Sequence, residues 1–314
     1  MIISASYKTD IPAFYADWFV NRLAAGFCRT TNPWGGQTYD ITLTPDAVDA
    51  FVLWTRNIAP LADQLPKIAA VAPFCVQYTV TGYPRAIESS TVPADRAVEA
   101  IAALRRALGP RAVVWRYDPI LFTSLTPAGW HRENFAALAT ALRGAVDEVV
   151  ISFAHVYRKT RRNLDAAAAQ AGFGWRDPET DEKRDLAATL ADIAAANDMA
   201  LTVCAQAEYV PPGAGLARCI DADRLSDVAG RPLAAPVKGN RPDCLCHASR
   251  DIGAYDTCPH GCRYCYAVSS HGTAKQRYAA HDPDGDFLFA PKKASAERAD
   301  QASSARRMPE NIQR

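Results

Sequence analysis

Cys258, Cys262 and Cys265 stand as Cys-x3-Cys-x2-Cys in the run TCPHGCRYCYA, with Tyr264 directly before the last thiol. Three thiolates on one tight loop can bind three irons of a 4Fe–4S cube and leave the fourth without a protein ligand, whereas an electron-transfer cluster normally takes four cysteines. An open iron is a place for a ligand. Zinc is the competing metal, with His260 or His247 as its fourth donor, but structural zinc usually draws on two separated pairs of ligands. Disulfides fit less well, because nine cysteines is an odd count and the tight spacings suit metal better than loop-stapling bridges.

Four more thiols invite the same question: Cys204, Cys219 in ARCIDAD, and Cys244 with Cys246 in DCLCH. Together they could ligate a second, auxiliary 4Fe–4S cluster completely. A four-thiolate zinc site is the next alternative. Burial of Cys204 and Cys219 as small core residues is the plain one. The Cys-x-Cys pair resists that last reading, since two thiols in a polar loop oxidise unless something binds them. Cys75 reads as core, and Cys28 has no assigned role.

The elements that must position these residues alternate. Apolar runs at Ile2–Ser4, Val52–Thr55, Phe74–Thr81, Ala112–Tyr117, Glu148–Phe153 and Ala200–Cys204 predict strands. Apolar residues returning every three or four positions predict helices over Ile11–Ala25, Pro93–Leu108, Thr126–Arg143 and Asp181–Asn197. Pro93 and Pro127 mark helix starts, and Gly109 and Gly144 mark ends. Such alternation implies a mostly parallel sheet with right-handed crossovers. A (β/α) barrel, partial or complete, is favoured over a doubly wound sheet because polar groups cluster after most strands. Ser4, Ser6, Thr9 and Asp10 follow the first, Arg56 and Asn57 the second, and Arg116 and Asp118 the fourth. His155, Tyr157 and Arg158 follow the fifth, and Cys204 and Gln206 the sixth. In a parallel barrel these ends meet at one mouth. No GxGxxG or GxxxxGK[ST] is present, and no Ser-His-Asp set, HExxH or carboxylate pair stands out for hydrolysis.

The chain resembles a family of uncharacterised domain-of-unknown-function proteins whose C-terminal cysteine cluster is similar to the one at the N-terminus of radical S-adenosylmethionine (SAM) domains. The resemblance covers nearly the whole chain through TDIPAFYADWF, VLWTRN, QYTVTGYP, VVWRYDPI, ISFAHVY, CIDADRL and CLCHASRDIGAYDTCPHGCRYCYA. It implies a radical SAM fold in which the open iron chelates SAM, and one electron cleaves SAM to a 5′-deoxyadenosyl radical. It brings no substrate. A looser similarity to spore photoproduct lyases concerns the order of the blocks, with Pro93–Arg96 and Asp118–Ile120 supplying two of them. In ordinary radical SAM domains the cysteine loop follows the first strand, whereas here it comes last. A strand at Asp251–Tyr255 and a helix at Ala274–Ala280 would make this the first unit moved to the C-terminus, a circular permutation. The expected organisation is barrel units over 1–230, a cysteine-rich unit over 231–289 closing the same barrel, and a disordered tail over 290–314.

For SAM itself, the resemblance sets Tyr264 beside the adenine. Thr9 and Asp10 are candidates for the methionine ammonium. Thr79, Thr81, Arg116 and Asp118 are candidates for the ribose hydroxyls and the carboxylate, which suits the planar fork of arginine. Arg116 paired with Asp118 or Asp10 in a salt bridge is the structural alternative. The expected activity is hydrogen abstraction from an unknown substrate, with electrons from a small donor such as a flavodoxin or ferredoxin. A non-catalytic Fe–S or zinc protein with a sensing or partner-binding role is the alternative function. Nucleic-acid repair, peptide modification and small-molecule chemistry are all open.

Composition bounds the rest. A chain of 314 residues with 49% hydrophobic content can bury a large core. The start MIISASYKTDIP lacks the features of a signal peptide, and no run reaches the roughly 18 apolar residues of a membrane helix. A cytoplasmic protein is therefore expected, with no membrane partner. A net charge of +1 gives no field to gather nucleic acid.

Overall fold

A computed structural model describes residues 1–291. Eight strands form one sheet: β1 (Ile2–Ala5), β2 (Ala50–Thr55), β3 (Phe74–Thr79), β4 (Val113–Ile120), β5 (Glu148–Phe153), β6 (Ala200–Val203), β7 (Gly215–Leu216) and β8 (Ser249–Asp251). Their order is β7-β6-β5-β4-β3-β2-β1-β8, and every ladder is parallel. From β1 to β7 the chain always steps to the next strand in the same direction. Right-handed crossovers then stay on one face of the sheet. Only β8 breaks the sequence, returning to pair Ile2 with Ser249 and Ser4 with Asp251.

The side-chain alternation of strands sorts the core into two faces. Ile3, Phe51, Leu53, Val76, Trp115, Val149 and Ile151 pack with Trp18, Phe19, Ile101, Phe135 and Leu190 from the crossover helices. Ile2, Val52, Cys75, Val114 and Val150 point the other way, onto Cys219, Ile220, Leu225 and Cys246. Burial on both sides explains why the strands read as continuous apolar runs. The second face is covered by a short helix, Ala222–Ala229. Its buried Arg224 is fixed by Asp147 at 2.9 Å and Glu148 at 2.7 Å.

The helices form for the reasons their spacing gives. Ala94–Leu108 buries Ala97, Ile101 and Leu104, one stripe at helical period. The single helix expected over Ile11–Ala25 is two, Ile11–Phe14 and Ala16–Ala25, broken at Tyr15. Tyr15 is drawn out of helical geometry while its hydroxyl donates to the Thr257 carbonyl at 2.6 Å. The last strand is Ser249–Asp251, earlier than Asp251–Tyr255, because Asp251 turns to cap the end of β1. The final helix, His271–Ala279, starts where Ser270 accepts from the Thr273 amide. Sequence periodicity also passed over the hairpin of Phe27–Thr31 and Thr38–Thr42 and the helix Arg158–Ala171. Among the described residues no helix is long and apolar enough to cross a membrane. The expected tail lies, from residue 292 onward, outside the described residues.

Candidate functional site

The cysteine loop is tied to the strand ends by two carboxylates. Asp251, closing β8, accepts from Ser4 Oγ and Ser6 Oγ at 2.8 Å each, from the amides of Tyr7 and Gly253 at 3.0 Å, and pairs with Lys8 at 3.3 Å. A Cβ on Gly253 would run into the Ser6 side chain, so the chain leaves β8 against β1 with no room for a larger residue. Asp10 joins the next layer. Its carboxylate accepts from Ala13 N at 3.0 Å, Thr55 Oγ1 at 2.8 Å and Arg56 N at 2.7 Å, and meets His260 Nε2 at 2.7 Å. Asp10 thus caps the helix after β1, holds the end of β2 and grips the cysteine loop.

The same loop is laced to the segment after β3. Ser90 N donates to His260 O at 2.9 Å, Arg263 N donates to Ile87 O at 3.0 Å, and Glu88 bridges to Cys262. Gly261 allows this approach: its φ is +73°, and a Cβ there would strike Ser89 Oγ and the His271 ring. Tyr264 is buried in a polar knot. Its hydroxyl bonds Glu88 and receives Arg56 Nη2 at 2.6 Å, while Arg56 Nη1 pairs with Glu88 at 2.9 Å and Thr81 Oγ1 donates to Glu88 at 2.8 Å. Thr79, Thr81, Gly82, Tyr83, Arg56 and Glu88 line a cavity of about 250 Å³ next to this knot.

Cys258, Cys262 and Cys265 line one pocket of about 90 Å³, with His260, Gly261 and Asn163 among its other walls. Burial pushes the Cys258 thiol up to about 12 and raises Cys262 and Cys265. The Arg56 guanidinium opposes this at Cys262 and Cys265. Backbone amides also point at sulfur: Ala267 N lies 3.4 Å from Cys265 Sγ. The Thr9 hydroxyl is buried without a hydrogen-bond partner. Three thiols in one wall, amide donors to sulfur and an adjacent cation suit an anionic thiolate cluster. His260 has its Nε2 engaged by Asp10, and His247 receives the Ala222 amide at Nδ1, 3.1 Å away. His260 Nδ1 faces the Ser90 carbonyl at 3.5 Å, and His247 is not among the residues that line the three-thiol pocket.

Of the residues suggested for SAM, Tyr264 belongs to this loop, Asp10 holds it, Thr81 joins its polar knot, Thr79 lines the adjoining cavity and Thr9 lies beside Gly253. Arg116 stands in register with Thr79 on the neighbouring strand β4, with Asp118 two residues on. Arg116 pairs with Asp118, donates to Gln77 Oε1 at 3.2 Å and to Cys219 Sγ at 3.0 Å, and lies over the Trp54 ring at 5.0 Å. Asp118 also takes the Ser152 hydroxyl. Arg56 was visible in the sequence only as one polar strand end among several, and Glu88 carried no signal because its partners Arg56 and Tyr264 come from distant segments.

The remaining thiols divide. Cys28 and Cys75 are buried, and burial pushes each up to about 12. Cys204, Cys219, Cys244 and Cys246 stand together on the second face of the sheet. Among the described residues no group of three or more His, Cys, Asp or Glu side chains already converges on a point for a single ion. A cubane asks something different, since each thiolate reaches a different iron.

No curated protein matches the chain. Residues 2–267 match the model of one family, which spans the sheet, both sets of thiols and the cysteine loop. The chain therefore belongs to the family described as a domain of unknown function, DUF1848.

Proposed function

We propose that this protein is a radical SAM enzyme whose 4Fe–4S cluster is held by Cys258, Cys262 and Cys265. The observation that carries the reading is that these three thiols line one pocket at the C-terminal ends of parallel strands, beside a polar cavity. Active sites of parallel α/β sheets form at those ends. Such a cluster, with SAM bound, would supply the electron for reductive cleavage of SAM. The chain's own residues do the positioning. Asp10 and Asp251 fix the loop to β1 and β2, and Arg56 balances negative charge next to Cys262. Tyr264, Thr79 and Thr81 bound the space where the nucleoside part of SAM would lie, and the Thr9 hydroxyl is a donor awaiting an acceptor. The pairing of the last strand with the first supports the finer reading of a circularly permuted barrel, in which β8 and the cysteine loop take the place of the usual first unit.

The electron would come from a small donor such as a flavodoxin or ferredoxin. Anaerobic reconstitution with iron and sulfide, followed by SAM and dithionite, tests the proposal. The expected products are a brown protein and 5′-deoxyadenosine. A colourless protein that holds only zinc and releases no 5′-deoxyadenosine would overturn it.

A further inference from the structure

The second set of thiols lies apart from the Cys258 loop, and its contacts are unlike those of core cysteines. Cys204 Sγ and Cys219 Sγ are 3.6 Å apart. Cys246 and Cys244 pack into the same cluster, so four sulfurs share one face of the sheet. Two cations address them: Arg116 Nη1 donates to Cys219 Sγ at 3.0 Å, and Arg241 Nη2 donates to Cys204 Sγ at 3.3 Å. A thiol kept only for its volume needs neither a sulfur neighbour nor a guanidinium.

The backbone builds the cradle. His247 N donates to Ile220 O at 2.9 Å, and Lys238 N donates to Cys246 O at 2.8 Å, so the Cys-x-Cys loop is strapped to the Cys219 segment. A Cβ on Gly239 would meet the Cys244 Cβ at 2.9 Å, which leaves glycine as the residue that lets the loop close. Gln77 Nε2 fixes the Cys219 carbonyl at 3.0 Å from the sheet side.

We propose that Cys204, Cys219, Cys244 and Cys246 form a second metal centre, built from four thiolates and separate from the Cys258 loop. The inference does not rest on radical SAM chemistry. Four thiolates around a metal carry net negative charge, which Arg116 and Arg241 would offset while donating to sulfur. This ligand set serves either a single zinc or a 4Fe–4S cubane. Zn–S bonds of about 2.3 Å put tetrahedral thiolates about 3.8 Å apart, a spacing met by the Cys204–Cys219 pair. The four thiols do not converge on one point for a single ion, however, and a cubane, with each thiolate on a different iron, is the closer fit.

The test is metal analysis of the full chain in which Cys258, Cys262 and Cys265 are all replaced by Ala, reconstituted anaerobically with either ferrous iron and sulfide or zinc. The expected result is retention of about one zinc or about four irons per chain, lost when Cys204, Cys219, Cys244 and Cys246 are also replaced by Ser. Which arm retains metal identifies the centre. A folded triple variant, judged by circular dichroism, that keeps neither would overturn the proposal. Should the triple variant fail to fold, the wild-type chain decides. Native mass spectrometry showing metal beyond one three-cysteine cluster supports the second centre, and a mass accounting for that cluster alone or for no metal overturns it.

Discussion

Asp10 and His260 are separated by 250 positions, yet Asp10 Oδ2 and His260 Nε2 meet at 2.7 Å. Asp10 is 6% exposed and His260 is 3% exposed, so the contact is shielded from water on both sides. It fastens the cysteine loop to the strand ends at the opposite end of the chain. Removing the carboxylate in Asp10→Ala leaves two amides, a hydroxyl and a ring nitrogen without their acceptor. We expect a loss of about 3 kcal/mol in urea unfolding of the metal-free protein, together with lower iron retention.

Glu88 and Arg56 make a second test of the site's architecture. Their side chains are 3% and 12% exposed, so Glu88→Ala strands a buried guanidinium and should destabilise the fold by about 3 kcal/mol. The double replacement Arg56→Met with Glu88→Leu should recover most of that stability while still impairing SAM binding. Equilibrium unfolding of Glu88→Ala and of the double variant measures this, and equal losses in the two would count against the buried pair.

Gly261→Ala forces a Cβ into Ser89 and His271 at a φ of +73°. A cost of about 1–2 kcal/mol for the left-handed backbone alone is expected, with the steric clash added to it. Iron uptake on reconstitution should fall more than overall helicity, because the strain lies in the loop between two thiols.

Cys244 gives a pH-dependent readout in the metal-free protein. The Cys246 thiol hydrogen-bonded to it lowers its pKa to about 6, whereas Cys258 is pushed up to about 12 by burial. A lowered thiol pKa means thiolate above that value, so iodoacetamide at pH 7 should label Cys244 first. Peptide mapping of labelling rates should show half-maximal reactivity near pH 6, and preferential labelling of Cys258 would contradict the assignment.

The amino-acid pattern made some of this legible and left the rest hidden, for physical reasons. Glu148–Phe153 matches its strand to the residue because buried parallel strands read as apolar runs. The helix Arg158–Ala171 buries only Thr160, Leu164 and Ala167, so no apolar stripe announces it, although its alanines favour helix. The hairpin at Phe27–Thr42 was passed over because only Cys28 and Ile41 of its ten strand residues are buried. In the site, the three-cysteine spacing stands out in one dimension because its members are adjacent. The Arg56–Glu88–Tyr264 knot is drawn from three segments that only folding brings together. Arg116 was visible as a polar strand end, but its partner Cys219 lies 103 positions away.

The most direct measurement is electron paramagnetic resonance of the reduced, reconstituted protein with and without SAM. A cluster held by Cys258, Cys262 and Cys265 keeps an iron open to ligand, so its signal should change when SAM is added. That change should disappear in the variant lacking these three thiols. A signal identical with and without SAM, or one whose response to SAM survives their removal, would contradict the account.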